Sequence, residues 1–382
     1  MLKKRIPVVQ TKFTPPILKE TNIGRLHLMR KMREMEGSRV TLIHSGPGYG
    51  KSTSLAAYLK HQEKRYCWYS ITKDEDHIHP FIIHMIYSVQ QQYGDFGQRL
   101  LDYLVTENVL NLEEEIDYLA SEYVNELMKI REPFIIVIDD FHLVEASKPI
   151  ENWLLFIIQH LPKHVHLMIS SRIRPTWEVF SKMIVHGDLV EITESELAFT
   201  KDEVEVLFSD FYQISIKDEE VEQIYRKTEG WIIAIQMVWQ QMKFVDQIRE
   251  NEWEADTNEE LFRYLALEVF SKQQKNIQNF LLKTSIFEDL NPNLLEEVLE
   301  IDNASELLNI LVQQNLFIYQ VGKDQYRYHA LFKDFLLQQL HKEYSLYESL
   351  HYKLAEYFEQ CAEYEKAIYH YSEIKKYKKT AS

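Results

Sequence analysis

The chain has 382 residues, which at roughly 150 residues per domain implies two or three domains and more than one buried core. Its 45% hydrophobic and 27% charged content, with only 10 glycines and 10 prolines, excludes disorder and collagen-like structure and indicates a mostly helical globular protein. A formal net charge of −16 repels phosphate backbones and anionic lipid surfaces, which excludes a grip on DNA by bulk electrostatics.

The first segment, to about residue 195, holds short apolar runs separated by helix-like intervals. They are Val40-Thr41-Leu42-Ile43-His44, Cys67-Trp68-Tyr69-Ser70-Ile71, Phe134-Ile135-Ile136-Val137-Ile138, Val165-His166-Leu167-Met168-Ile169 and Leu189-Val190-Glu191-Ile192. Runs of this size predict the buried strands of a parallel α/β sheet. Directly after the first stands Ser45-Gly46-Pro47-Gly48-Tyr49-Gly50-Lys51-Ser52-Thr53, followed by a helical start at Leu55-Ala56-Ala57-Tyr58-Leu59. Glycines let main-chain N–H groups turn inward around phosphates, and the helix N-terminus adds positive potential. Lys51 reaches the outer phosphates and Ser52 offers a hydroxyl to Mg2+. This is a Walker A loop in its strand–loop–helix setting, with Ser45 where the pattern starts on glycine.

The third run ends Ile138-Asp139-Asp140. Ligands of an open α/β sheet sit beyond the carboxyl ends of its strands, so these acids are expected to face the nucleotide. Asp139 is the candidate for orienting Mg2+, and Asp140 for polarising the water that attacks a γ-phosphate; a helix N-cap is the alternative for either acid, above all Asp140. The fourth run ends Ser170-Ser171-Arg172, placing a hydroxyl pair and a guanidinium at the same edge. Arg172 suits a γ-phosphate or, alternatively, a local carboxylate. His77, His79 and His84, near Asp74 and Asp76, fit no strong metal-ligand spacing and read as a loop leading into a helix.

From about 200 to 285 the period is helical, opened by Thr200-Lys201-Asp202-Glu203 in the form of a capping box. Residues 244–262, acidic and polar around Trp253, read as a connector. The next unit has helical pieces at Asn293–Leu299 and Ala304–Gln314, then strands at Leu316–Gln320 and Gln325–His329 around a turn at Gly322-Lys323-Asp324, the pattern of a winged helix. The last stretch, with Ala355-Glu356-Tyr357-Phe358 and Tyr364 to His370, has the spacing of the first unit of a helical repeat. Its aromatic stripe (Tyr344, Tyr347, Tyr352, Tyr357, Phe358, Tyr364, Tyr369) is expected to pack helices together, and Lys375–Lys379 to be a solvated tail. The expected organisation is therefore an α/β P-loop nucleotide-binding domain (1–195), a small helical domain (196–285), a winged-helix domain (286–345) and the start of a helical repeat (346–382).

Two cysteines, Cys67 and Cys361, make no disulfide framework and no CxxC metal spacing, which implies a reducing compartment. The basic N-terminus is followed by no apolar signal core, and no stretch approaches the ~18 apolar residues of a membrane span, so a cytoplasmic, membrane-free location is expected.

The ordered set Lys12-Phe13-Thr14-Pro15-Pro16, Arg25-Leu26, the Walker A loop, Ile138-Asp139-Asp140-Phe141-His142, Ser171-Arg172, Glu229-Gly230-Trp231, Tyr328-His329-Ala330-Leu331-Phe332 and Asp334-Phe335-Leu336 resembles the MalT-like branch of the STAND ATPases. STAND denotes signal-transduction ATPases with numerous domains. The resemblance covers essentially the whole chain. It implies an ATP/ADP-binding domain, a helical domain and a winged helix, then a superhelical sensor and a LuxR-type DNA-binding module, both expected outside these residues. By the resemblance Gly46, Gly48, Tyr49, Gly50, Lys51, Ser52 and Thr53 cradle the nucleotide and Asp139 and Asp140 are the Walker B acids. Likewise Arg25, Arg172 and Gly230 line the nucleotide, and His329 reaches the ADP β-phosphate. Many relatives carry proline two residues after that glycine, where this chain has Ile232.

The function this implies is a switch: an ADP form closes the domains, and inducer with ATP exchange releases a form that self-associates, with slow hydrolysis as the reset. A P-loop kinase or other metabolic phosphotransferase is a second expectation from the sheet and loop alone. A winged-helix DNA-binding ATPase of the replication-initiator kind is a third, opposed by the net acidity.

Overall fold

β-branched, apolar runs flanked by helices settle into one parallel sheet because each strand must bury both faces. The computed structural model contains β1 (Val40–His44), β2 (Arg65–Ser70), β3 (Phe134–Asp139), β4 (Val165–Ser171) and β5 (Leu189–Ile192) in the order β2-β3-β4-β1-β5, with every neighbouring pair parallel. It describes residues 8–18, 25–72, 75, 77–106, 115–242, 262–287 and 289–380. The chain divides into two compact units, 1–215 and 216–382.

Parallel neighbours need crossover connections, and the intervals between runs supply them. α1 (Leu26–Arg33) precedes β1, and the connections are, in chain order, α2 (Lys51–Lys60), α3 (Ile78–Gln90), α4 (Gln98–Thr106), α5 (Ile116–Lys129), α6 (Lys148–His160) and α7 (Glu178–His186). Short helices α8 (Glu194–Leu197) and α9 (Lys201–Val206) follow β5. Phe81, Tyr123 and Trp153, all fully buried, meet edge to face at 5.8 and 5.0 Å and lock α3, α5 and α6 together on one side of the sheet. β3 is buried along its whole length, which is why its sequence is an unbroken apolar run up to the acids. β2 begins two residues before its expected start and ends at Ser70, although Ile71 still donates its N–H to the Asp139 carbonyl at 3.0 Å. The capping box at Thr200 is formed in both directions: Glu203 N–H donates to Thr200 Oγ1 at 3.2 Å and Thr200 N–H to Glu203 Oε2 at 3.1 Å.

The second unit contains α10 (Asp218–Thr228), α11 (Ile232–Met242), α12 (Lys275–Thr284), α13 (Pro292–Leu299) and α14 (Ala304–Gln313). Then come β6 (Ile318–Gly322), β7 (Gln325–Tyr328), α15 (Ala330–Lys342), α16 (Tyr344–Gln360) and α17 (Tyr364–Thr380). Two helices followed by an antiparallel hairpin turning at Lys323-Asp324 give the winged-helix pattern. β6 starts two residues later than expected because Phe317 takes a left-handed backbone (φ 56°), from which its carbonyl accepts the His329 N–H at 2.8 Å. His329 leaves the strand and caps α15.

In the last two helices Tyr347 and Phe358 are buried as expected, whereas Tyr352, Tyr364 and Tyr369 are at least half exposed. Packing therefore accounts for only part of the aromatic stripe. The connector around Trp253, the acids Asp74 and Asp76, and the side chains of Lys375–Lys379 lie outside the described residues. Among the described residues no helix is long and apolar enough to cross a membrane.

Candidate functional site

The carboxyl ends of β1, β3 and β4 fall on one edge of the sheet because all are parallel, and the Walker residues gather there. Between β1 and α2 the chain reverses through Gly48 and Gly50, both left-handed at φ 80° and 79°, a backbone that a side-chain-bearing residue resists. Gly46 donates its N–H to Glu194 Oε2 of α8 at 3.3 Å, which ties the loop to the chain after β5. Tyr49 is buried, while Thr53 is exposed on the first turn of α2.

Lys51 folds back over the loop: its Nζ donates to the Ser45 carbonyl at 2.8 Å and the Gly46 carbonyl at 3.0 Å. Burial lowers its pKa to about 8, against the charges of Asp140, Asp139 and Glu194, which favour the ammonium. Asp139, at the end of β3, is 3% exposed, and its Oδ1 accepts hydrogen bonds from Ser52 Oγ at 2.9 Å and from Ser170 Oγ. Burial, and then the neighbouring Asp140 charge, push Asp139 up to about 6, while the two hydroxyls and Lys51 draw it back.

Asp140 takes a left-handed backbone (φ 60°, ψ 38°) and heads the short turn Phe141–Leu143 with no side-chain capping bond, so the N-cap alternative does not describe its carboxylate. Phe141 anchors that turn by packing edge-on against Trp177 at 5.3 Å. Burial raises the Asp140 pKa, and Lys51 and Arg172 act in the opposite direction. His142 Nδ1 lies 3.8 Å from Asp140 Oδ1. Arg172, just past β4, is half-buried and acts electrostatically on both Lys51 and Asp140. The oxygens of Ser52 and Asp139 form a hard, hydroxyl-plus-carboxylate donor set of the kind Mg2+ prefers.

Arg25 has a different setting. Its Nε donates to Glu203 Oε2 at 3.1 Å, and its Nη atoms donate to the carbonyls of Leu197 (2.7 Å), Ala198 (2.6 Å) and Glu196 (3.3 Å). Phe199 stacks beneath the guanidinium at 4.2 Å, and His27 Nδ1 meets the other Glu203 oxygen at 2.7 Å. The cation fastens the corner between α8 and α9.

Gly230 and His329 belong to the second unit. Glu229 and Gly230 are both left-handed (φ 48° and 77°) and end α10. His329 is fully buried; its Nε2 faces the Thr228 carbonyl at 3.1 Å and its Nδ1 accepts the Leu331 N–H at 3.2 Å, the neutral Nε2–H tautomer. Burial lowers its pKa. Trp231 and Phe317 pack edge-on against the ring at 5.8 and 5.7 Å. Ile232 is half-buried at the start of α11.

Three contacts were not legible in the sequence: the target of the Ser170 hydroxyl, which was visible at its strand end, the Gly46 amide met by Glu194, and the Arg25 guanidinium held by Glu203, whose capping box alone has a local signal. His79 Nε2 faces the Leu104 carbonyl at 2.9 Å, and His84 pairs with Glu75, which also takes Lys12 at 2.9 Å. Among the described residues no group of three or more His, Cys, Asp or Glu is set to hold a metal ion.

A parallel sheet whose first strand passes through Gly50-Lys51-Ser52 into a helix, with Asp139 at the end of a neighbouring strand, defines the P-loop ATPase fold. A Walker-type ATPase of Pyrococcus abyssi shares that fold at a TM-score of 0.56 and 14% identity, over 85% of this chain and 98% of its own. A STAND protein with a tetratricopeptide repeat sensor from Pyrococcus horikoshii aligns over 97% of this chain and 50% of its own, at a TM-score of 0.46 and 16% identity. Residues 266–348 match the family described as MalT winged helix domain, and residues 25–172 match the N-terminal family of nephrocystin 3. Over 369 residues, 95% of its length, the chain is 26% identical to the HTH-type transcriptional regulator MalT of Yersinia pestis strain Pestoides F. The chain is a homologue of the MalT transcriptional regulators and carries their winged helix domain. It spans 40% of the length of that relative.

Proposed function

We propose that this chain is the nucleotide-operated part of a MalT-like transcriptional regulator, a switch set by whether ADP or ATP occupies the Walker loop. One observation carries the reading: at the carboxyl edge of a P-loop sheet the Ser52 hydroxyl bonds the buried Asp139 carboxylate and the buried Lys51 ammonium folds over the same loop, in a chain related to MalT along 95% of its length.

The main-chain amides from Gly48 to Thr53 and the Lys51 ammonium hold the outer phosphates, the ammonium exchanging its own loop carbonyls for phosphate oxygens. Ser52 and Asp139 would hold Mg2+, which when bound neutralises charge on the outer phosphates. Asp140 accepts a hydrogen bond from the attacking water as its oxygen approaches the γ-phosphorus, and its raised pKa makes it the better base. Arg172 reads the γ-phosphate. Hydrolysis is slow and serves as a reset: ADP marks the resting form and ATP the self-associating one. The inducer and the DNA target are reached through parts of the longer regulator. The four segments 1–195, 196–285, 286–345 and 346–382 are the moving parts of this reading.

Mass spectrometry of small molecules released by denaturing the purified chain tests the proposal. The expected result is bound ADP or ATP, absent from a Lys51→Ala chain. A nucleotide-free protein with no measurable affinity for either overturns it.

A further inference from the structure

We infer that Ser170 is a positioning residue of the nucleotide site, a single hydroxyl that fixes both acids at once and thereby sets how much Mg2+ strengthens nucleotide binding. The inference rests on the reading of the site proposed above.

Ser170 lies on β4, the middle strand of the sheet, and is fully buried. The register that sets Ile138 beside Ile169 brings the next residues, Asp139 and Ser170, side by side at the edge. A serine hydroxyl has one hydrogen to give and two lone pairs to receive. Here the hydrogen goes to Asp139 Oδ1, and the Asp140 N–H approaches the same Oγ at 3.5 Å. One atom therefore touches the carboxylate assigned to Mg2+ and the backbone that carries the carboxylate assigned to water.

The second hydroxyl on Asp139 Oδ1 belongs to Ser52, on the first turn of α2 and so part of the phosphate loop itself. Ser170 is the donor that does not belong to that loop. Two donors from different elements on one oxygen determine the side-chain torsions of Asp139, and removing the strand-borne one leaves the carboxylate referenced only to the loop. Oxygens that must meet a cation with narrow octahedral tolerance suffer most from such freedom. Phosphate contacts made by the loop amides and Lys51 do not pass through Ser170 and are untouched. A serine that merely satisfies buried polar atoms would, when removed, weaken every state of the protein alike.

The experiment compares a fluorescent ADP analogue bound to the wild-type, Ser170→Ala and Ser170→Cys chains, in millimolar Mg2+ and in EDTA. Wild-type protein is expected to bind more tightly with Mg2+. Ser170→Ala is expected to lose about tenfold of that gain while its EDTA affinity stays within about twofold of wild type. Ser170→Cys keeps the shape with a weaker donor and is expected to fall between, which serves if the alanine chain does not fold. The inference fails if either variant retains the full gain from Mg2+, or if affinity drops equally with and without the metal. A wild-type chain that binds no nucleotide in either buffer overturns the reading of the site itself and is thereby distinguished from a failure confined to Ser170.

Discussion

Arg25 and Lys51 are both buried cations of the first unit, 5% and 7% exposed, yet their surroundings differ in kind. Arg25 spreads four hydrogen bonds over three carbonyls and a carboxylate contributed by residues 196–203, a fork geometry that only a planar guanidinium fits. Lys51 is satisfied by carbonyls five and six residues before it in its own loop, and its pKa falls to about 8. The first charge is buried to join distant segments, so its removal should damage the fold. The second is held weakly against its preference for water, as expected of a group kept for an anionic ligand. The resemblance assigns both to the nucleotide, and their acceptors differ.

The largest effect should come from Arg25→Ala, which takes the cation from Glu203 and a donor from each of three carbonyls and should lower stability by about 3 kcal/mol in a denaturant titration, with Arg25→Lys recovering only a minor part. Lys51→Ala should invert that pattern. Nucleotide affinity by calorimetry should fall at least about 100-fold, worth about 2.7 kcal/mol, while the denaturation midpoint of the nucleotide-free protein holds or rises. If Lys51→Ala unfolds the protein and Arg25→Ala does not, the contrast is wrong.

Alkaline titration sharpens it. Because the folded-state pKa of Lys51 lies below its ordinary 10.5, the unfolded chain binds more protons between about 8 and 10.5. In that window the nucleotide-free wild type should gain stability relative to Lys51→Ala as pH rises, by on the order of 2 kcal/mol, and a flat difference would refute the burial cost. The smallest effect concerns the α8–α9 corner on its own: Thr200→Ala removes one half of the capping box and should cost about 1 kcal/mol in the same titration.

Much of the first unit is legible in its residues, since an apolar run can only be a buried strand when glycine and acid punctuation brackets it. β1, β3 and β4 lie where Val40–His44, Phe134–Ile138 and Val165–Ile169 predict, and the Walker loop connects β1 to α2. Thr200 and Glu203 announce their capping box because both partners lie within one turn. What was not legible depends on contacts across the chain. Nothing near Arg25 reveals that its acceptors lie at 196–203, and nothing near Glu194 reveals the amide of Gly46. His329 illustrates a subtler limit: the alternation of Gln325–His329 reads as strand to the end, but the left-handed Phe317 captures its N–H and turns it into the cap of a helix.

The left-handed backbone of Asp140 bears on how such a chain evolves. Aspartate, asparagine and glycine accept φ near 60° with little strain, and β-branched or bulky residues do not. Asparagine is one base change from aspartate in the genetic code and keeps the shape while removing the carboxylate. With Asp140 in the role proposed above, drift at this codon is channelled toward a protein that folds as before and would grip its nucleotide without turning it over, so a locked descendant would lie a single mutation away.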